Sequence, residues 1–150
     1  MHDAWRKRMS LAFGVTALVT AATACTSRLP DVPANVSVGG SAPSPAAWPT
    51  PRVAPNDARP EIQAMHFSTL DIRRGSVWTG QFVVPTNVAS VEVRTNLFSI
   101  DVPRTSFGRF AFTLDVLDTP PIFIRPYRLR VVARNSSGAT TEEDLPLDIR

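Results

Sequence analysis

Residues 127–138 read YRLRVVARNSSG. Tyr127, Leu129, Val131 and Ala133 fall on alternate positions, with Arg128, Arg130 and Arg134 among the residues between them. Successive side chains of an extended chain point to opposite faces, so this alternation predicts a strand with an apolar inner face and a charged outer one. Asn135 and Gly138 then supply residue types that accept tight turns, which places a hairpin directly after the strand.

The same pattern recurs through the second half of the chain. SVWTGQFVV, residues 76–84, sets Trp78, Gly80, Phe82 and Val84 on one face. ASVEVRT, residues 89–95, puts Val91 and Val93 opposite Glu92 and Arg94, and GRFAFTLDVL, residues 108–117, aligns Phe110, Phe112, Leu114 and Val116. EIQAMHF (61–67), LFSIDV (97–102) and TTEEDLPLDI (140–149) bring the candidates to seven strands. Short strands at regular spacing, with no long amphipathic helix, predict an all-β antiparallel sandwich of two sheets over residues 61–150.

The run from Tyr127 to Gly138 resembles the penultimate strand and following turn of fibronectin type III and other immunoglobulin-like domains, whose pattern is Y-x-(L/V)-x-V-x-A-x-N-x-x-G. The resemblance implies an immunoglobulin-like β-sandwich of about seven strands. It also implies a tyrosine corner, in which the hydroxyl of Tyr127 reaches back to backbone between Pro120 and Arg125. Trp78 is then similar to the core tryptophan of an early strand, packing opposite the Tyr127 strand. The antibody-type cysteine pair is absent, so the core must be stable without a disulfide.

Cys25 is the single cysteine, which rules out an intrachain disulfide and a multi-cysteine metal cluster. Residues 1–24 have the parts of an export signal: cationic Arg6, Lys7 and Arg8, an apolar run from about Met9 to Val19, and small residues after it. The run is short for a permanent bilayer span, which takes about 20 residues. Ala22, Thr23, Ala24 and Cys25 resemble a bacterial lipobox, in which small residues precede a cysteine that is lipidated and becomes the new N-terminus. Leu is usual where Ala22 stands. The resemblance implies a lipid anchor at Cys25 in the bacterial cell envelope, and Thr26 after it implies the outer membrane if the host has one.

Residues 25–60 hold eight of the 14 prolines, from Pro30 to Pro60, and almost no periodic apolar pattern. Proline at this density removes backbone donors and favours extended segments, so the stretch reads as a disordered, semi-rigid tether up to roughly 100 Å long. Trp48 is its costly residue to leave in water. It serves either as a contact onto the chain's own domain or as an anchor for a partner.

The formal charge of +3 comes largely from the first residues. Residues 25–150 carry 13 arginines and no lysine against 12 acids, a net of +1, which is a mixed surface and not a nucleic-acid-tracking stripe. There is no phosphate loop, nucleophile elbow or histidine pair, so neither an enzyme nor a metal or cofactor protein is expected. His66 reads as a strand-edge residue, and Glu142, Glu143 and Asp144 as a solvated run that discourages edge pairing. Arg94, Arg128, Arg130 and Arg134 form the candidate binding face, open either to cross-strand acids such as Glu92 or to an anionic partner. Ile122, Phe123 and Ile124 form a candidate binding loop, because three consecutive apolar residues cannot all face one core. The function expected is a membrane-anchored module that binds another envelope protein or a cell-wall polymer. The alternative is an inhibitor or accessory subunit of an extracytoplasmic enzyme, acting through its end loops.

Overall fold

All seven alternating stretches form strands in the computed structural model, which describes residues 29–117 and 123–150. Three shorter strands join them. In chain order they are β1 (Val36–Val38), β2 (Ala64–Phe67), β3 (Asp71–Ile72), β4 (Val77–Val83), β5 (Val88–Arg94), β6 (Ser99–Val102), β7 (Arg104–Ser106), β8 (Arg109–Asp115), β9 (Pro126–Asn135) and β10 (Thr140–Ile149), with one 3-10 turn at Pro45–Ala47. One sheet runs β1-β2-β4-β8-β7 and the other β3-β10-β9-β5-β6. The short outer pairs β1–β2 and β10–β3 are parallel, and all other pairings are antiparallel. Consecutive strands β4 and β5 lie in different sheets, and β9 returns to pair with β5. This is the Greek-key connection of an immunoglobulin-like sandwich.

The inner faces meet in one core. Trp78 is fully buried, stacked on Phe67 at 5.9 Å and edge-on to Phe112 at 4.8 Å, and its indole N–H donates to the Thr69 carbonyl at 2.9 Å. Gly80 makes the aromatic cluster possible: a Cβ there would lie 2.3 Å from the Phe112 ring. From the other sheet Leu129, Val131, Leu145 and Leu147 complete the filling. Burying aromatics of this size contributes several kcal/mol each, which a domain lacking a disulfide needs.

The two local features implied by the Tyr127 stretch are present. The Tyr127 hydroxyl donates to the Phe123 carbonyl at 2.9 Å, closing the tyrosine corner. Gly138 N–H donates to the Asn135 carbonyl at 3.1 Å, and the Asn135 side chain accepts from the Ala139 N–H at 2.8 Å, so the β9–β10 hairpin is tied at both rungs.

Residues 29–60 depart from the expected tether: they strap the sandwich. Val36, Ser37 and Val38 pair with Met65, His66 and Phe67 as a further strand. The Asn35 side chain donates to the Ile62 carbonyl at 2.9 Å and to Glu143 at 3.1 Å. The Thr86 N–H reaches the Arg52 carbonyl at 2.9 Å, and Asn135 donates to the carbonyls of Asn56 and Ala58 at 3.2 and 2.9 Å. Pro51 packs against Gly108, whose φ of +65° and lack of Cβ admit it. Prolines remove donors but leave carbonyls, and here side-chain and backbone donors of the sandwich bind those carbonyls along the strap. Trp48 is buried as part of this strap. His66 is likewise not at an edge: β1 covers it, it is buried, and its Nδ1 lies 2.9 Å from Ser37 Oγ.

The signal segment 1–24 and Cys25 lie outside the described residues.

Candidate functional site

The outer face of the β10-β9-β5 sheet carries side chains left over after alternation has sent the apolar ones inward. Arg94 on β5 stands beside Arg130 on β9, because the two are register partners, and Asp144 on β10 is the partner of Arg130 on its other side. Arg130 grips Asp144 through Nε and Nη2 at 2.8 and 3.2 Å and reaches Glu142 at 3.0 Å. Arg94 reaches the same Glu142 at 3.1 Å and lies 3.9 Å from Glu92, while Arg128 meets Asp144 at 3.3 Å. Both open readings of this face therefore have a counterpart: the cross-strand acids are engaged, and the arginines remain partly accessible.

These contacts set the charge states. The hydrogen bond from Arg130 and its positive charge hold the Asp144 carboxyl below the ordinary range, and Asp144 in turn raises Arg130. Glu143 points the other way, to the sandwich interior, where burial raises its pKa against the opposing effect of the Asn35 hydrogen bond. The acidic run expected to be uniformly solvated is thus divided by the pleat. Two of its members hold arginines and the middle one holds the strap.

The arginines open onto a groove at one end of the sheet. A cavity of about 520 Å³ is lined by Arg94, Arg125, Arg128 and Arg130, with Thr95, Asn96, Pro126 and Tyr127 between them. No carboxylate of the described residues lines it. Arg125 lies over the Tyr127 ring at 5.2 Å, and its Nε donates to the Tyr127 hydroxyl at 3.2 Å, so the tyrosine corner also orients a guanidinium. Guanidinium forks held by hydrogen bonds suit carboxylate and phosphate oxygens, and being already oriented they lose less freedom on binding.

Of the residues proposed from sequence, Arg94, Arg128 and Arg130 come together in this groove. Arg134 does not. It lies four residues along β9, about 13 Å away, beyond the buried Val132. Arg125, Thr95 and Asn96 join the site although the sequence reading leaves them out. The signal for Arg125 was its position two residues before Tyr127, where the corner fixes it near the outer face.

The apolar loop lies at the same end of the molecule. Phe123 is half-buried and lines a second groove, of about 370 Å³, with Ile72, Leu97, Phe98, Leu114 and Val116 among its walls. Ile124 is exposed. Ile122 is outside the described residues. Among the described residues no group of three or more His, Cys, Asp or Glu side chains converges as a metal site, and no helix is long and apolar enough to cross a membrane.

No protein-family model matches the chain. No curated protein matches its sequence either. Among solved structures it is similar to a fibronectin(III)-like module of Clostridium thermocellum CbhA, at 20% identity and a TM-score of 0.40, over 53% of this chain and 82% of the module. It is also similar to a superoxide reductase (neelaredoxin) from Ignicoccus hospitalis, at 10% identity and a TM-score of 0.39, over 61% and 80% of the two chains. The fold assignment rests on the chain's own strand order and tyrosine corner.

Proposed function

We propose that this protein is a non-enzymatic binding module of the bacterial cell envelope, exported by residues 1–24 and held by a lipid on Cys25. Its immunoglobulin-like sandwich takes an anionic group of an envelope protein or cell-wall polymer in the arginine groove. One observation carries this reading: four guanidinium groups share a groove that no carboxylate of the described residues lines, with Arg94, Arg128 and Arg130 held by Glu142 and Asp144 and Arg125 by the Tyr127 hydroxyl. Exposed ion pairs contribute at most about 1 kcal/mol to stability, so stability alone gives little reason for this concentration of arginine. The outer-membrane address and the lipid anchor rest on the residues around Cys25.

A second reading, an accessory or inhibitor of an extracytoplasmic enzyme, is favoured by the apolar groove beside Phe123 and the exposed Ile124. A photo-crosslinking residue placed at Asn96 or at Ile124 in the membrane-anchored protein separates the two. The binding-module reading expects capture from Asn96 that salt weakens and that Arg125→Ala with Arg128→Ala abolishes. Capture from Ile124 alone, indifferent to salt, supports the end-loop reading instead.

A further inference from the structure

The strap changes where the anchor must be. Leu29 already lines a shallow groove of the sandwich together with Val38, Leu70, Pro126, Pro146 and Leu147. Residues 26–28 are all that separate it from Cys25. At no more than about 3.6 Å per residue, Cys25 lies within about 14 Å of Leu29, whatever path those residues take. A lipid on Cys25 therefore brings a bilayer surface to this end of the domain, not to a point roughly 100 Å away along a free tether.

This is also the end that carries the arginine groove. Pro126 forms part of both grooves, and Arg125 and Arg128 flank it in sequence. Val77, Leu97, Leu114 and Ile124 expose apolar surface at the same end, on the start of β4, the β5–β6 turn, the end of β8 and the segment just before β9. Among the described residues, the acids there are partly offset: Arg150 and Arg73 pair with Asp71, and Arg150 with Asp148, with Asp115 at the rim. Cationic forks interspersed with exposed apolar side chains form the chemistry that rests in a head-group layer, where phosphates take the guanidiniums and the apolar tips enter the acyl boundary.

We infer that the groove of Arg94, Arg125, Arg128 and Arg130 faces the membrane that carries the anchor and binds the phosphates of its anionic phospholipids. The inference rests on lipidation at Cys25, and it assigns the arginine groove a lipid phosphate in place of an anionic group of a protein or polymer.

The acylated full chain, reconstituted in phosphatidylcholine vesicles with or without phosphatidylglycerol, tests this directly. Its anchored Cys25 has no free thiol, so a single new cysteine takes an environment-sensitive fluorophore. The two sites are Ile124→Cys at the groove end and Val53→Cys, 85% exposed, at the opposite end. Leu97→Cys stands in if the first variant folds poorly. Quenching by head-group-labelled lipid is expected at Ile124→Cys and absent at Val53→Cys. It should be several-fold stronger with phosphatidylglycerol, and reduced by salt or by Arg125→Glu, which reverses a charge held by the Tyr127 hydroxyl. Equal quenching at both sites, or quenching indifferent to phosphatidylglycerol, overturns the inference. So does soluble polyglutamate releasing the probe from the vesicle, which returns the ligand to a protein or polymer. Intact mass separates the two possible failures: a chain without acyl groups removes the anchor itself, whereas an acylated chain with an unquenched probe removes only the orientation.

Discussion

The two ends of the sandwich are built from opposite materials. At one, the proline-rich strap crosses the starts of β2 and β8, and its carbonyls are bound by Arg109, Asn87, Asn135 and Thr86. At the other, Arg94, Arg125, Arg128 and Arg130 surround an open groove beside exposed apolar side chains. The same fold thus closes one end with backbone hydrogen bonds and leaves the other with oriented, partly accessible arginines around an open groove. Substitutions at the first end should be read in stability, and at the second in binding.

The largest stability effect is expected where the strap packs most tightly. In Gly108→Ala, the new Cβ lies 2.4 Å from Pro51 and 2.6 Å from the Val84 carbonyl oxygen, at a φ that side chains rarely adopt. A loss of about 3 kcal/mol is expected in urea denaturation. Asn135→Ala removes two donations to the strap and the acceptor for Ala139, and should cost about 2 kcal/mol by the same measurement. If the strap merely lay on the surface, Asn135→Ala would cost no more than its Ala139 hydrogen bond, about 1 kcal/mol.

Tyr127→Phe belongs to the other end. It removes the hydroxyl donated to Phe123 and accepted from Arg125, and a loss of about 1 kcal/mol in thermal unfolding is expected. It should also weaken ligand binding, since Arg125 loses its orientation. Normal binding with the stability loss would show that the corner serves the fold alone.

Acid distinguishes the strap contact from the arginine face, on opposite sides of β10, by the sign of its effect. Glu143, at the strap, has its pKa raised by burial, so its contribution is fully present below the unfolded value and fades as pH rises through the folded one. Asp144, in the arginine face, has its pKa lowered by Arg130, so its contribution is present above the unfolded value and lost as pH falls through the folded one. Going from neutrality toward about pH 5, the Glu143 contribution should grow while that of Asp144 stays intact. Glu143→Gln should flatten that rise, and an unchanged pH profile would show that Glu143 is not buried beneath the strap.

The smallest stability effect is expected at the arginines. Arg94→Ala or Arg128→Ala should change unfolding free energy by less than about 1 kcal/mol, yet lower affinity for an anionic ligand about tenfold or more. Calorimetric unfolding and vesicle binding on the same preparations check both halves.

The sandwich was legible because alternation is a property of single strands. Trp78, Phe82, Phe112 and Leu129 declare an inner face wherever their strand is placed. The tyrosine corner was legible for a related reason, since its partners are four residues apart. The strap was not. Val36–Val38 is too short to show a period, and residues 49–60 are held through carbonyls, which every residue has and no sequence pattern marks. Trp48 alone hinted that the segment had something to bury. The site was half legible: outward arginines follow from the period, but the groove depends on strand ends meeting, which brought in Arg125 and left out Arg134.

Hydrogen exchange on the acylated full chain, in its own membrane and in neutral detergent, tests the division between the two ends most directly. The amides of Met65 and Thr86, bonded to Asn35 and Arg52 of the strap, should be protected equally in both settings. Residues 94–98 and 123–128 should gain protection only in the membrane. Strap amides that exchange freely in both, or added protection that falls at the strap end and spares the arginine groove, would contradict the account.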